Sequence, residues 1–318
     1  MPESSLRFFL VAPLLALACT AALAQQYPTK PIRVVVAGSP DAVPRILGPK
    51  LTESWGQQVV VDQRGGAGGT IGAEIVARAP ADGHTLLLGT AQHMMNVNFY
   101  KVPYDMVRDF APVTQLAYTT FVLSVHPSLP ARSVKELIAL AKQKPGALNF
   151  SSGGSGSPAH LIGEMFRVET GTHLVHVPYK DVAAGVTDLI TGQVQMMFLV
   201  STAAVPQLQA GRIRGLGVTS PKRWPVVPEL PTLNEAGVRG FEATAWYGFL
   251  APAGTPAAVI GRLHKEVVKA LKLPDVAQRL SNLGLEIVGS SPQEFGEFIK
   301  IELAKWAKYA RASGARLE

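Results

Sequence analysis

The chain has 318 residues, of which 47% are hydrophobic, and carries a formal net charge of +7. This apolar content is enough to bury a core and excludes an intrinsically disordered protein. The lysines are scattered along the chain rather than clustered among aromatic residues, which argues against a nucleic-acid-binding protein and favours a solvated basic surface.

The first predicted element is an apolar run close to the N-terminus, from Phe8 to Cys19. Arg7 precedes it, and Ala22-Leu23-Ala24 follows with the small-x-small pattern that a signal peptidase cleaves. The run is shorter than the roughly 20 residues that span a bilayer, so we predict a signal peptide over residues 1–24 and export to the periplasm. The single cysteine lies in this leader, so we expect no disulfide and no Cys-ligated metal in the mature chain. A lipidated start at this cysteine is the open alternative.

Short β-branched or apolar runs alternate with helical patterns along the rest of the chain. This alternation predicts an α/β fold with mostly parallel sheets. The predicted strands are Ile32–Val36, Val59–Asp62, Thr85–Gly89, Phe121–Val125, Leu148–Ser151, Val175–Pro178, Met196–Val200 and Gly215–Thr219.

Helices are predicted between and after these strands. Ser133–Gln143 predicts a surface helix, because a serine start with Glu136 three residues later forms a capping box before apolar residues at helical spacing. From Pro256 onward two long amphipathic patterns predict the helices that close the chain. Trp306 and Tyr309 lie three apart on one face of the last pattern, and we interpret them as packing residues rather than a cofactor site.

The segment from Asn149 to Phe166 reads NFSSGGSGSPAHLIGEMF and is rich in serine and glycine. It predicts a strand that ends in a Ser/Gly turn, followed by a helix with Pro158 in its first turn. Such a turn directs free backbone N–H groups and hydroxyls at an anion, and the helix dipole favours negative charge there. We therefore predict an anion site, with a plain helix-capping turn as the alternative.

Enzyme and metal motifs are incomplete in this chain. The turn GGSGS at 153–157 lacks the last glycine of the G-x-S-x-G nucleophile elbow, and no lysine follows where a phosphate-binding loop needs one. Gly66–Gly72 spaces its last glycine one residue too far for a dinucleotide fingerprint. His160 and Glu164 lie four apart on one helix face without a third metal ligand at a recognisable spacing. The residues therefore predict a non-enzyme without metal or cofactor.

Several motifs occur in order along the chain: QYPTKPIR at 26–33, GGAGGTIGA at 65–73, ADGHTLL at 81–87, the Ser/Gly turn at 152–161, HVPYK at 176–180 and WYGFLAP at 246–252. Together they strongly resemble the motifs of the Bug receptors, the extracytoplasmic solute-binding proteins of tripartite tricarboxylate transporters. The resemblance covers nearly the whole mature chain.

The resemblance implies a two-lobed periplasmic-binding-protein fold (type II-like), in which each lobe is a mostly parallel sheet flanked by helices. Lobe 1 would comprise residues 25–125 plus 248–318, and lobe 2 residues 126–247. The cleft between the lobes would hold a small organic carboxylate, and lobe closure is what a membrane transporter can sense. The implied partners are membrane transporter subunits, with a membrane signalling kinase as the alternative, and the chain is expected to be a monomer.

Carried over position by position, the resemblance implies a ligand site built from several loops. The implied residues are Gly38, Ser39 and Asp41 after the first strand, Thr90, Ala91 and Gln92 after the third, Ser152, Gly153, Ser155, Gly156, Ser157 and His160 in the Ser/Gly turn and the helix start, Tyr179, Asp181, Val182 and Ala183 at and after the V-P-Y-K motif, and Phe198 and Leu199. The serines of the turn are expected to hold one end of the ligand, and Thr90 and the first loop the other.

Three departures from the family pattern bear on the ligand. The first loop is shorter than usual and lacks an aromatic residue, which opens space. Asp181 stands where the family usually has glycine, and it adds repulsion toward an anion unless Lys180 or Arg45 offsets it. Leu199 stands where some members carry an aspartate suited to an amino group. We therefore expect an acid with an apolar or aromatic body rather than citrate or an amino acid.

Overall fold

The computed structural model describes residues 27–37, 41–66 and 69–313, and the predicted signal peptide lies outside them. Strands and helices alternate along most of this part of the chain. They are β1 (Ile32–Val36), α1 (Ala42–Trp55), β2 (Val59–Gln63), α2 (Thr70–Ala77), β3 (Thr85–Thr90), α3 (Ala91–Asn96), β4 (Phe110–Val125), α4 (Val134–Gln143), β5 (Asn149–Ser152), α5 (Pro158–Thr170), β6 (Val175–Pro178), α6 (Val182–Thr191), β7 (Met196–Val200), α7 (Ser201–Gln209), β8 (Arg214–Val218), β9 (Thr244–Pro252), α8 (Ala257–Leu271), α9 (Pro274–Asn282), β10 (Glu286–Ile287) and α10 (Pro292–Ser313).

Two groups of parallel strands form the two ends of the sheet. β2, β1 and β3 lie side by side at one end, and β7, β5 and β6 at the other. Between them, β4 carries the chain from the first group to the second and β9 carries it back, so these two strands pair antiparallel. β9 is also antiparallel to β3, and β4 to β7. The predicted α/β fold is confirmed, and the two crossing strands make its sheet mixed.

Local sequence signals account for two helix starts. Ser133 precedes α4, and its side chain accepts the N–H of Glu136 at 3.2 Å, as the capping pattern predicted. Pro158 is the first residue of α5, where its missing N–H costs nothing because that group would have no acceptor within the helix. Among the described residues, no helix is long and apolar enough to span a bilayer.

Apolar side chains cover both faces of the sheet. On one face of the first group, Ile32 and Leu88 belong to a buried cluster with Leu47 of α1 and Leu263 of α8, and all four are fully buried. Such side chains each contribute about 1.5–3 kcal/mol to stability through burial. This cluster packs β1 and β3 against α1 and α8, and β3 ends at Thr90, a residue of the candidate site.

The last helix, α10, contacts elements of both strand groups, because it packs against α3, α5 and β4. Trp306 and Tyr309 are buried, which confirms their interpretation as packing residues. Tyr309 Oη and Lys308 Nζ each lie 2.8 Å from Glu169 Oε1 on α5. Since α10 is shared in this way, the assignment of residues 248–318 to lobe 1 stays a prediction, as do the other lobe boundaries.

Candidate functional site

A cavity of about 320 Å³ lies where strand ends meet helix starts. This volume is at the low end of the roughly 300–1,000 Å³ typical of ligand pockets and suits a small molecule. The described residues that line it come from β3, β4, β7 and β9, from the Ser/Gly turn, and from the starts of α3, α5 and α6. They are Thr90, Ala91, Gln92, Phe121, Gly153, Ser157, Pro158, Ala159, Val182, Met197, Phe198, Leu199, Val200, Ala245, Trp246 and Tyr247.

Three helices of eight or more residues begin at this cavity. Ser157 precedes α5, Val182 starts α6, and Val200 precedes α7. The first N–H groups of a helix have no acceptor within the helix and carry the positive end of its dipole. The cavity therefore offers hydrogen-bond donors to an anion, although none of its described lining residues is charged.

Asp181 and Ser157 occupy the cap positions of two of these helices, yet their side chains differ in what they bind. Asp181 Oδ1 accepts the N–H of Ala184 at 2.9 Å, so this carboxylate satisfies the start of α6 from within the chain. Ser157 makes no cap bond, and its hydroxyl oxygen is buried without a partner among the described residues. A buried hydroxyl left in this way costs about 1–3 kcal/mol. A bound anion would satisfy it at the start of α5.

Internal hydrogen bonds hold the strand end of the Ser/Gly turn. Ser152 Oγ donates to the carbonyl of Gly154 at 3.0 Å and accepts the N–H of Gly154 at 3.1 Å. The same oxygen lies 2.7 Å from Nε2 of His176 on β6. These three hydrogen bonds hold Ser152 Oγ between Gly154 and His176.

His160 and His176 stack beneath the turn, with ring centroids 3.9 Å apart. His160 Nδ1 accepts the N–H of Gly156 at 3.0 Å. Burial lowers the pKa of His160 to about 4, and burial together with the neighbouring His160 lowers the pKa of His176 to about 3. Both rings are therefore neutral at pH 7, and their ring nitrogens support the turn from inside.

Gln92 connects the two sides of the cavity. Its Nε2 atom, on α3, donates to the carbonyl of Gly156 in the turn at 3.3 Å. Gly156 has a φ of +77°, a left-handed conformation that favours glycine, and a Cβ there would lie 3.4 Å from the ring of Phe99. The Ser/Gly turn is thus fixed by contacts from the α3 side as well as by its own bonds.

The two potential metal ligands on α5 have other partners. Glu164 accepts two hydrogen bonds from Arg167, at 2.6 and 2.9 Å, and burial raises the pKa of Glu164. His160 is bonded to the turn. Across the part of the chain that the structure describes, no group of three or more His, Cys, Asp or Glu side chains is placed to hold a metal ion.

The structure brings part of the predicted site into the cavity lining. The predicted residues that line it are Thr90, Ala91, Gln92, Gly153, Ser157, Val182, Phe198 and Leu199. The predicted residues that the structure describes outside this lining are Asp41, Ser152, Ser155, Gly156, His160, Tyr179, Asp181 and Ala183. Gly38 and Ser39 lie outside the described residues. A direct ligand contact stays a prediction for the residues of all three sets.

Other contacts or exposure account for the predicted residues that lie outside the lining. Asp41 forms an ion pair with Arg45, whose Nε lies 2.5 Å from Oδ2. Tyr179 donates its hydroxyl to Asp188 Oδ2 at 2.5 Å, and Ser155 is exposed. The others either form hydrogen bonds within the turn and the α6 cap, as described above, or are exposed on α6.

The sequence did not single out five of the strand residues that line the cavity. Inside strands, apolar and aromatic side chains resemble ordinary core residues, so their periodicity does not mark them as ligand contacts. One signal was available, because the WYGFLAP motif at 246–252 contains two of them. The residues missed in this way are Phe121, Met197, Ala245, Trp246 and Tyr247.

Comparisons with known proteins place the chain among solute receptors. The family described as tripartite tricarboxylate transporter family receptor matches residues 43–314. The chain is 41% identical over 288 residues to the UPF0065 protein in the tcbD-tcbE intergenic region of Pseudomonas sp. (strain P51), covering 89% of this chain and 86% of that protein. It is 34% identical to Protein BugT of Bordetella pertussis, covering 93% of each.

A solved structure has the same fold and contains a ligand. This structure, R. palustris Rpa4515 with adipate, is 38% identical and has a TM-score of 0.78. The match covers 92% of this chain and 100% of that one. The predicted two-lobed periplasmic-binding-protein fold is confirmed by this similarity.

Proposed function

This chain belongs to the tripartite tricarboxylate transporter receptor family, and we propose that it is a periplasmic receptor for a small organic acid with an apolar or aromatic body. It takes up the acid in the cavity described above and delivers it to the membrane subunits of a tripartite tricarboxylate transporter. As a binding protein it carries out no reaction on the acid.

The buried, unpartnered hydroxyl of Ser157 is the observation that carries this proposal. A carboxylate at the start of α5 would accept the hydroxyl proton together with the free N–H groups of the first turn. Charge-assisted bonds of this kind are about twice as strong as neutral ones. The carboxylate of Asp181 is bonded to the start of α6, and the hydroxyl of Ser201 at the start of α7 is bonded to Thr119. Of the three helix starts at the cavity, α5 is therefore the one we assign to the carboxylate.

The rest of the cavity supports an apolar ligand body. Phe121, Met197, Leu199 and Trp246 contribute apolar lining, and none of the described lining residues carries a charge that could pair with a second or third carboxylate. The relative of known structure holds adipate, whose carboxylates flank an apolar carbon chain. An acid with one carboxylate at Ser157 and an apolar body beyond it fits this arrangement.

Isothermal titration calorimetry with a panel of acids tests the proposal. We expect the purified mature protein to bind hexanoate or benzoate at least about tenfold more tightly than citrate. Citrate is short and branched, so it would place carboxylates against the apolar lining without a cation or hydroxyl partner. Burying a charge in this way costs several kcal/mol, more than the roughly 1.4 kcal/mol that a tenfold change represents. Citrate binding more tightly than both other acids, or no binding of any acid, would contradict the proposal.

Export is part of the proposed function and can be tested separately. The intact mass of the periplasmic product should correspond to a chain that starts at Gln25, after the predicted signal peptide. A mass that corresponds to a start at Cys19 with an added acyl group would contradict it, as would retention of the full chain in the cytoplasm.

A further inference from the structure

Four residues that line the cavity carry polar side chains: Thr90, Gln92, Ser157 and Tyr247. Two of them are already hydrogen-bonded. Thr90 Oγ1 lies 3.0 Å from His93 Nδ1, and the Gln92 amide nitrogen donates to the Gly156 carbonyl. The hydroxyl of Ser157 is buried without a partner among the described residues. Tyr247 is half-buried, and its hydroxyl forms no hydrogen bond to another residue that the structure describes. The cavity therefore has two unpaired hydroxyls, and the proposed function uses one of them.

Tyr247 reaches the cavity from a different element than Ser157. It lies in β9, where its backbone is paired with Thr90 of β3 and Ala117 of β4. Along this strand Ala245 and Tyr247 are half-buried, whereas Trp246 between them is fully buried and donates its indole N–H to Glu302 at 3.2 Å. Because side chains alternate along a strand, Tyr247 lies on the sheet face opposite the indole. There its side chain packs against the cluster of Leu47 and Leu263 and also lines the cavity.

The Tyr247 hydroxyl is neutral under physiological conditions, because burial raises its pKa. A neutral phenol donates one hydrogen bond and can accept another. It is therefore suited to an oxygen atom of a ligand, and an apolar ligand end placed there would leave the hydroxyl without a partner. The penalty for such an unpaired group is what allows a site to reject an analogue that lacks the matching oxygen.

We propose that Tyr247 is a specificity residue that donates a hydrogen bond to an oxygen atom at the end of the ligand remote from its carboxylate. This inference rests on the proposed function, because it takes the carboxylate to be held at Ser157. The ligand class that follows is a carboxylic acid with an apolar middle and an oxygen at its far end. A hydroxy acid and a linear dicarboxylic acid share this chemistry.

Three acids with the same six-carbon chain distinguish a far end with no oxygen, a far hydroxyl and a far carboxylate. They are hexanoate, 6-hydroxyhexanoate and adipate. Their affinities are measured by calorimetry for the wild-type protein and for Tyr247→Phe, which removes only the hydroxyl. Tyr100→Phe is the matched control, since Tyr100 is also half-buried but does not line the cavity. Ser157→Ala, measured with the same acids, reports on the carboxylate end.

We expect Tyr247→Phe to bind hexanoate as the wild type does and to lose affinity for the acids with a far oxygen. The loss should be about threefold to tenfold for 6-hydroxyhexanoate and about tenfold or more for adipate, because a bond to a charged oxygen is stronger. A loss for only one of these acids identifies the far group as hydroxyl or carboxylate. Ser157→Ala should weaken binding of all three acids by the same factor, and Tyr100→Phe should not weaken binding of any of them.

Other outcomes overturn the inference, and they can be told apart from failure of the proposed function. Equal losses for all three acids in Tyr247→Phe would make Tyr247 a packing residue, and no loss would leave it without a role. If the wild type prefers hexanoate to both oxygenated acids, the inference fails without any variant. In these cases the proposed function stands as long as Ser157→Ala weakens binding. If the wild type binds none of the acids, both fail.

Discussion

The two ends of the Ser/Gly turn contain the same residue type in opposite situations. At the strand end, Ser152 is fully buried and its hydroxyl has three partners, including His176. At the helix end, the hydroxyl of Ser157 is buried and has none among the described residues. The turn thus has one end whose hydrogen bonds are complete and one end that can still form a bond.

Because of this difference, Ser152 should affect the stability of the fold, and Ser157, five positions later, should affect ligand binding. A serine with complete hydrogen bonds stabilises the folded chain and has nothing to donate to a ligand. A buried serine without a partner contributes no such bond to the folded chain and gains one when an acceptor arrives. We therefore expect substitutions at the two ends to affect different measurements.

The largest expected effect is on affinity, at the helix end. Ser157→Ala should weaken binding of an organic acid by roughly 10- to 150-fold, which corresponds to the loss of a hydrogen bond to a charged group worth about 1.5–3 kcal/mol. The free energy of unfolding without ligand should not fall, because the hydroxyl has no partner to lose. Calorimetry and urea denaturation of the same preparation measure both quantities. An unchanged affinity would remove Ser157 from the binding site.

At the strand end the larger effect should be on stability. Ser152→Ala removes three hydrogen bonds and leaves His176 Nε2 without its partner, so the free energy of unfolding should fall by about 1–3 kcal/mol. The affinity of the folded fraction should change less than in Ser157→Ala. Urea denaturation and calorimetry decide this, and a variant as stable as the wild type would show that the turn is held by other contacts.

Lowering the pH should reduce the free energy of unfolding, because the stacked histidines hold the strand end of the turn. The pKa values of His160 and His176 are lowered from 6.5 to about 4 and about 3, so below pH 6.5 the unfolded chain binds protons that the folded chain does not. The contribution of these two rings to the free energy of unfolding is fully present above pH 6.5 and is lost as the pH is lowered toward about 4. Buried His93, whose pKa is also lowered by burial to about 4, adds to this dependence.

Urea denaturation between pH 7 and pH 5 measures this effect. His176→Gln should reduce the pH dependence of the unfolding free energy relative to the wild type, and His173→Gln, at an exposed histidine, is the control for the substitution itself. Equal pH dependence in the wild type and in His176→Gln would rule out a contribution from the stacked pair.

The smallest effect is expected in the middle of the turn. Ser155 is exposed and does not line the cavity, so Ser155→Ala should change the unfolding free energy by less than about 0.5 kcal/mol and leave affinity unaltered. A clear loss of affinity in this variant would mean that the ligand contacts the turn itself, as the sequence-based prediction for all three serines has it.

Local patterns were sufficient to predict much of the fold. Ile32–Val36, Val175–Pro178 and Met196–Val200 are strands with the predicted bounds, because each is a short apolar or β-branched run. β4 was predicted from Phe121 onward but begins at Phe110. The part before Phe121 contains buried threonines with partners from distant parts of the chain, such as Thr114 with Ser290 and Thr119 with Ser201. A local pattern carries no information about such partners.

The site could be predicted less completely for a related reason. The Ser/Gly turn and the helix behind it were predictable as an anion site, since their geometry is local. Which serine is free was not, because the partner of Ser152 is His176 on the neighbouring strand. The strand side of the cavity, including Phe121 and Tyr247, is assembled by β4 and β9 and is visible only in three dimensions.

A crystal structure of the complex with adipate tests the central claim most directly. We expect one carboxylate within about 3 Å of Ser157 Oγ, with the carbon chain against the apolar lining and Ser152 still bonded to His176. A carboxylate bound to Ser152 or Ser155, or an adipate molecule found outside the cavity while Ser157 keeps no partner, would contradict the account.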